Sequence, residues 1–260
     1  DPRSVDWDHY VNNIHLPSII QHARVKTTPG PSRSTDRMGR MRKQVLDPKR
    51  HVAAFDLENT LISSNVVESF SWLATRRLDT PERIRYVART IVEAPGLLRL
   101  DRQDRTDFLR HFYRRYEHAP KEQIETDAQE MLTQLIMTKS FPAGLRRVRE
   151  HRALGHRTIL ITGALDFAVA GLRPMFDEIV AAQMTVRPDG TLSGEMHSVP
   201  PTGEARAQIL TDYCEAEGLD ISNSVAYADS SSDLPLFEAV GFPVAVNPDS
   251  KLERHARRNG

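Results

Sequence analysis

The stretch 53-AAFDLENTLI-62 decides the fold that this sequence predicts. Its apolar residues end at Asp56, and Glu58, Asn59 and Thr60 follow within four positions. A short apolar run before a polar cluster is typical of a β-strand that is buried on both faces. Two carboxylates at the end of such a strand indicate acid–base chemistry or a turn, because a lone Asp after a strand usually caps a turn.

Four more apolar runs predict further strands, at residues 157–164, 178–186, 224–229 and 243–248. Helical patterns precede or follow them at residues 143–155, 166–176 and 203–218. Strands that alternate with helices predict an α/β fold, with a Rossmann-like, mostly parallel sheet covered by helices on both faces. The exception is 184-MTVRPDGTLSGEMH-197, where Pro-Asp-Gly between two alternating runs predicts a β-hairpin.

The segment between Asn65 and Lys139 contains no strand candidate. Thr80-Pro81 is typical of a helix start, with Thr80 as the N-cap and proline at the first helical position. Three apolar stripes at helical spacing predict a helix-bundle core: Ile84, Val87 and Ile91; Phe108, Leu109, Phe112 and Tyr116; Ile124, Ala128, Met131, Leu132 and Leu135. We therefore predict a core domain at residues 51–66 and 140–260, with an inserted α-helical cap at residues 67–139 over the strand ends.

The composition is that of an ordinary globular protein, with 39% hydrophobic and 27% charged residues. Lys plus Arg equals Asp plus Glu, 35 each, so the global charge favours neither nucleic acid nor an anionic membrane as a partner. The single cysteine, Cys214, excludes an internal disulfide and fits a reducing, cytoplasmic compartment. No apolar stretch approaches the roughly 20 residues of a membrane span, and no signal peptide is visible.

Polar side chains follow three of the predicted strands. The first strand leads into 56-DLENT-60, with Asp56 and Glu58. The second ends in 159-ILITGA-164, with Thr162 and Gly163. The fourth leads into 227-YADSSSDLP-235, with Asp229 and Asp233. The carboxyl ends of parallel strands meet at one edge of a sheet, where ligands bind in such folds. The order of these motifs is more specific than any one of them alone.

In this order of motifs the sequence resembles the haloacid dehalogenase (HAD) superfamily, in particular its phosphoserine-phosphatase-like branch (subfamily IB). The resemblance covers His51 to Gly260 and implies a phosphatase. It implies Asp56 as the nucleophile that forms an aspartyl-phosphate and Glu58 as the acid that protonates the leaving group. It also implies that Mg²⁺ is the cofactor and that a small phosphorylated molecule is the substrate. The metal ligands that it implies are Asp56, the backbone carbonyl of Glu58, Asp229 and Asp233, and the implied phosphate contacts are Thr162 and the backbone at Gly163. Arg206 is a further candidate for the phosphate, on grounds other than the resemblance.

Three positions depart from the family's pattern. Glu58 replaces the usual Asp and reaches about 1.5 Å further. Glu204 aligns with the family's lysine, and Arg206 is the nearest cation that could replace it, although it could equally be a solvated helix residue. Asn65 stands where phosphoserine phosphatases hold the substrate's ammonium with a Glu, and Glu68 follows, so we expect a substrate other than phosphoserine.

Residues 1–50 are interpreted as an N-terminal segment and a basic linker. Seven basic residues and one acid occur between Ala23 and Lys43, which favours a solvated tether over a site for an anionic partner. The segment 6-DWDHYVNNIHLP-17 weakly resembles the end of bacterial fatty-acyl-CoA reductase modules. That resemblance implies that a reductase domain precedes this chain in a longer polypeptide.

Three functions follow from these observations. The leading hypothesis is a Mg²⁺-dependent phosphomonoester hydrolase that is slow by family standards because of Glu58 and Glu204. The competing hypothesis is a catalytically impaired HAD domain that regulates or scaffolds an attached lipid-metabolism enzyme. A receiver-like domain phosphorylated at Asp56 is disfavoured, because receivers have no large helical insert after the first strand.

Overall fold

A five-stranded parallel sheet lies at the centre of a computed structural model that describes residues 44–259. The seven strands of this part of the chain are β1 (Val52–Phe55), β2 (Arg157–Leu165), β3 (Glu178–Ala182), β4 (Met184–Val186), β5 (Leu192–Met196), β6 (Val225–Ala228) and β7 (Phe242–Ala245). The sheet order is β3-β2-β1-β6-β7, and every neighbouring pair is parallel. This confirms the predicted α/β class. The predicted linker and reductase-like segment fall mainly on residues 1–43, which lie outside the described residues.

Helices cover the sheet and fill the segment between its first two strands. They are α1 (Val66–Thr75), α2 (Thr80–Gln103), α3 (Arg105–Tyr113), α4 (Lys121–Lys139), α5 (Pro142–Ala153), α6 (Asp166–Val169), α7 (Gly203–Ala216), α8 (Leu234–Ala239) and α9 (Ser250–Asn259). Within residues 44–259, none of these helices combines the length and the apolar character that crossing a bilayer requires. The predicted boundaries at 66/67 and 139/140 remain a prediction.

The central strand is buried on both faces, because its residues alternate between two apolar clusters. Ala53 and Phe55 point into a cluster that includes much of the helical segment, whereas Val52 and Ala54 point into one formed with α7, α8 and α9. Cys214 lies in the second cluster as a free, buried thiol. Burial of both faces explains why the β1 sequence is continuously apolar up to Asp56.

The predicted strand at 178–186 is two strands in the structure. β3 ends at Ala182, where its pairing with β2 ends, and β4 then pairs antiparallel with β5 in the predicted hairpin. The hairpin binds the start of α4 through backbone hydrogen bonds: the amide of His118 donates to the carbonyl of Leu192 at 2.9 Å, and that of Lys121 to Gly190 at 3.1 Å. The excursion therefore connects the sheet to the helical segment.

Two of the three apolar stripes lie in the core of the helical segment, as predicted. The prediction is wrong for the stripe of Ile84, Val87 and Ile91, because these side chains are 64%, 47% and 67% exposed. The inward face of α2 is instead the one that carries Tyr86 and Leu97, and Tyr86 packs against an aromatic cluster of α1 and α3. Helical spacing alone does not tell which of two apolar faces is buried. The N-cap of α2 is Asp79, one residue before the predicted Thr80.

A buried histidine pair lies beneath the sheet on the side of α5. The side chain of His151 is fully buried, with Nδ1 2.8 Å from Nδ1 of His156 and Nε2 2.8 Å from the hydroxyl of Tyr227. Burial, followed by the charges of His156 and Arg147, lowers the pKa of His151 to about 3. The imidazole is therefore neutral in the folded protein at any ordinary pH.

Candidate active site

Asp56 stands at the carboxyl end of β1, at the edge of the sheet where a parallel fold binds ligands. Its backbone amide donates to the carbonyl of Tyr227 in β6 at 2.9 Å, so the residue continues the sheet by one position. The chain then turns sharply: Asn59 has a φ of 53°, and its amide donates to the carbonyl of Ile62 at 2.7 Å. The side chain of Asn247 donates to the carbonyl of Asn59 at 2.7 Å and holds this turn from the other side of the sheet edge.

Three carboxylates from separate segments meet at this edge. Asp56 follows β1, Asp229 follows β6, and Asp233 precedes α8, and one oxygen of each lies within 4.8 Å of the others. Burial, with repulsion from the neighbouring acids, raises the pKa of Asp229 to about 8 and that of Asp233 to about 6. Such a group of oxygens, from two buried residues and the half-buried Asp229, is a candidate site for a hard cation, which would favour the charged forms.

Arg206 reaches the same cluster from the first turns of α7. Its guanidinium donates to Asp56 Oδ1 at 3.0 Å and to Asp233 Oδ1 at 2.5 Å. Burial works against this charge, but Asp233 and Asp56 raise the pKa of Arg206 above its usual value. The Nε group of Arg206 is buried and has no hydrogen-bond partner among the described residues. The structure thus brings a cation to the nucleophile candidate without the lysine that the family uses.

Glu204 is exposed and does not line the cavity that contains Arg206. Two positions along an α-helix correspond to a rotation of about 200°, so residues 204 and 206 point to opposite sides of α7. The expected repulsion between Glu204 and a phosphate is therefore absent from this geometry. The cation that contacts Asp56, Arg206, therefore lies two residues after Glu204, the position that aligns with the family's lysine.

Glu58 forms an ion pair with the helical segment. Arg105, at the start of α3, donates to Glu58 Oε2 at 2.7 Å and to Asp101 Oδ1 at 2.7 Å. Burial raises the pKa of Glu58 to about 7; Arg105 opposes this rise and Asp56 adds to it. A carboxyl group with this pKa can both give and take a proton near neutral pH.

The end of β2 contributes backbone rather than hydroxyl chemistry to the cavity. Gly163 lines the cavity, and its carbonyl accepts from the hydroxyl of Tyr113 in α3 at 2.7 Å. A Cβ at Gly163 would lie 2.7 Å from Leu109 Cδ1, so a larger residue would require the buried Leu109 side chain to move. Thr162 is buried beneath the cavity and is not part of its wall; its hydroxyl accepts from the amide of Ala164 at 3.1 Å.

The cavity above the carboxylates has a volume of about 1040 Å³. Asn65 lines it, but its side chain also caps α1 by accepting from the amide of Glu68 at 3.0 Å. Glu68 lies outside the cavity wall and forms an ion pair with Lys139, so it is not positioned to bind a ligand there. Val66 and Val67 form an apolar part of the wall next to Asn65.

Four residues at the site were missed by the sequence reasoning. Arg105 is the first residue of α3, Thr202 precedes α7, and Lys251 and Arg254 come from α9. Thr202 and Thr106 of α3 lie within 2.9 Å of each other through their hydroxyls. The cluster of basic residues in 250-SKLERHARR-258 was a signal for the α9 pair, whereas nothing local in the sequence marks Arg105.

Comparison with known proteins identifies the family. Residues 53–238 match the haloacid dehalogenase-like hydrolase family, and the chain belongs to it. A histidinol-phosphatase of Neisseria meningitidis is 25% identical over 81% of this chain and 96% of its own length. The "inhibition of morphological differentiation protein" of Streptomyces azureus is 30% identical over 54% of this chain, which spans 50% of that relative.

Solved structures agree on the fold. A phosphoserine phosphatase, solved as a phospho-aspartyl intermediate analogue, superposes with a TM-score of 0.57 at 19% identity, covering 79% of this chain and 90% of that one. Together with the family match, this confirms the resemblance to the phosphatase branch and the prediction of a phosphatase-type enzyme.

Proposed function

We propose that the chain is a Mg²⁺-dependent phosphomonoester hydrolase in which Asp56 is the nucleophile. The observation that carries this proposal is the convergence of Asp56, Asp229 and Asp233 within 4.8 Å, with Arg206 bonded to two of them, under a cavity open to a ligand. Acids from separate segments, packed this closely in a buried place, are unfavourable without a cation and a ligand to compensate them.

The carboxylates fit Mg²⁺, because the three donors are hard oxygens. Asp56, Asp229 and Asp233 would hold the ion, together with the backbone carbonyl of Glu58 that the family resemblance implies. When bound, Mg²⁺ neutralises phosphoryl oxygens and allows a carboxylate to approach them. Arg206 contacts Oδ1 of Asp56 at 3.0 Å, so Oδ2 has no contact with the guanidinium.

The chain's own residues account for the proton and phosphoryl transfers. A carboxylate oxygen of Asp56 forms a bond to phosphorus while the ester oxygen leaves and takes a proton from Glu58. Water then attacks the phosphorus of the aspartyl-phosphate and gives a proton to the Glu58 carboxylate. Inorganic phosphate leaves, and both side chains return to their first state. A pKa of about 7 supports Glu58 in both proton transfers at neutral pH.

The phosphate would be held by Arg206 and the backbone at Gly163. The unpartnered Nε group of Arg206 supports an additional acceptor, such as a phosphate oxygen, at this position. Thr162 then supports the strand end from below, by its bond to the amide of Ala164. The neutral Asn65 supports a substrate other than phosphoserine, because an amide cannot neutralise an ammonium group. The free thiol of Cys214 supports a reducing compartment such as the cytoplasm.

Hydrolysis of phenyl phosphate with and without Mg²⁺ tests the proposal. We expect release of inorganic phosphate that requires Mg²⁺ and disappears in Asp56→Asn, while the variant keeps the circular dichroism spectrum of the wild type. A matched control is Asp220→Asn, which changes an exposed turn acid that is bonded to Ser222 and does not line the cavity. Absence of turnover over a broad panel of phosphate esters would instead support the impaired, regulatory HAD domain.

A further inference from the structure

The acids of the site do not pair with every cation of the cavity. Among the residues whose side chains the structure describes, four cations line it, namely Arg105, Arg206, Lys251 and Arg254. The first two are neutralised by acids of the site: Arg206 by Asp56 and Asp233, and Arg105 by Glu58 and Asp101. The remaining two, both from α9, have no ion pair with any carboxylate within residues 44–259.

Lys251 and Arg254 lie three positions apart on α9, so they share one face of the helix. The side chain of Arg254 donates only through Nε, to the carbonyl of Ser250 at 3.0 Å, and no contact of the Lys251 ammonium is found in the described part of the chain. The nearby Asp249 does not neutralise them: its carboxylate accepts from the amides of Ser231, Lys251 and Leu252 and caps α9.

The positive surface continues outside the cavity. Lys251 and Arg254 also border an adjoining groove of about 530 Å³, together with His255 and Arg258. Arg257 borders neither space and is paired with Glu253 at 2.6 Å. Lys251 and Arg254 therefore lie where the groove meets the active-site cavity, and like charges so placed repel unless an anion lies between them.

We propose that Lys251 and Arg254 bind a second anionic group, a phosphate or a carboxylate, on the leaving group of the substrate. This rests on the proposed function, since it assigns the reacting phosphate to Asp56 and Arg206 in the same cavity. The wall also includes Val66, Val67 and Leu97, which suit an uncharged part of the substrate. The substrate class is thus a phosphomonoester with a second anion, and the absence of a carboxylate at Asn65 agrees with a leaving group that has no ammonium.

Three aryl substrates separate the second anion from the reacting phosphate: phenyl phosphate, 4-carboxyphenyl phosphate and 1,4-phenylene bisphosphate. We expect kcat/KM to be about tenfold higher for at least one of the two with a second anion, as for one charge-assisted contact. The preference over phenyl phosphate should fall by about the same factor in Lys251→Ala and in Arg254→Ala. Arg257→Ala should keep both the preference and the basal rate. The carboxylate and bisphosphate arms show which anion the pair selects.

Two results would overturn the inference. An equal loss on phenyl phosphate and on the two other substrates would mean that the pair serves the reacting phosphate. No loss on any substrate would mean that it is a solvated face. Equilibrium binding of the bisphosphate and of phenyl phosphate to Asp56→Asn with Mg²⁺ gives a readout without turnover. Tighter binding of the bisphosphate that Arg254→Ala removes would sustain the second-anion site even if the wild type hydrolysed nothing, and equal binding of both ligands would refute it.

Discussion

Replacing Arg206 with methionine tests how much the buried guanidinium matters. The side chain is 6% exposed and bridges Asp56 and Asp233, whose side chains are 7% and 2% exposed. Methionine fills much of the same volume but leaves both carboxylates without their cation. Breaking a buried pair in this way costs about 3–5 kcal/mol, because an uncompensated charge remains inside. With a urea m-value of about 2 kcal/mol/M, the unfolding midpoint of Arg206→Met should fall by roughly 1.5–2.5 M.

The assay is urea unfolding followed by circular dichroism, in EDTA and again in saturating Mg²⁺. We expect the loss to be smaller with Mg²⁺, because a cation bound to Asp56 compensates part of the missing charge. Arg206→Lys should lie between the wild type and the methionine variant, since it keeps the charge but lacks the planar guanidinium that reaches Asp56 and Asp233 through separate nitrogens. Arg257→Met, an exposed residue paired with Glu253, is the control and should not shift the midpoint measurably. A midpoint for Arg206→Met equal to that of this control would refute the reasoning.

Three further predictions concern Glu204, Gly163 and His151. Glu204→Lys restores the family's lysine in sequence but should leave phosphatase activity unchanged, because residue 204 is exposed and points away from the cavity. Gly163→Ala should lower the free energy of unfolding by about 1–3 kcal/mol, measured by denaturation, because the new Cβ would lie 2.7 Å from Leu109 Cδ1. Below pH 6.5 the free energy of unfolding should fall by about 1.4 kcal/mol per pH unit from His151 alone, because its depressed pKa makes the unfolded chain bind more protons.

Each of these has an outcome that would contradict it. A higher rate in Glu204→Lys would mean that α7 is rotated relative to the geometry described. Wild-type stability in Gly163→Ala would mean that Leu109 Cδ1 moves away from the new Cβ without cost. For the pH dependence, His151→Gln serves as the comparison: if its stability fell as steeply as that of the wild type between pH 6.5 and 4, the buried histidine would not be the cause.

The order of elements could be predicted because each strand is a short apolar run with polar residues at its end. β1 is continuously apolar because both of its faces are buried, and this alone distinguishes it from a surface strand. The division of residues 178–186 could not be seen in the sequence. Both halves are apolar, and only their pairing partners, β2 for one and β5 for the other, separate them.

The face of α2 shows the limit of periodicity. Ile84, Val87 and Ile91 recur at helical spacing, yet the face with Tyr86 and Leu97 is the one turned inward. Both stripes satisfy the same pattern, and the choice is made by aromatic partners on α1 and α3 that are distant in sequence. Local spacing contains no information about such partners.

The site was predictable where strand ends define it and not where helix rotation does. Asp56, Asp229 and Asp233 are marked by their place after or near a strand end, and the structure brings them together. Arg206 and Glu204 sit two positions apart on one helix, so a motif alignment favours one and the helix phase the other. Arg105 comes from a distant helix and is placed at Glu58 by tertiary packing alone.

The hairpin of β4 and β5 limits how this enzyme can admit its substrate. Its backbone hydrogen bonds to residues 118–121 attach the segment that leads into α4 to the hairpin, so this part of the helical segment is held in place. A hinge motion that moved the whole helical segment outward would have to break these hydrogen bonds. We therefore expect the moving element to be α2, which lines the cavity with Thr90, Ala94 and Leu97 and, within the described part of the chain, has no backbone hydrogen bond to the hairpin.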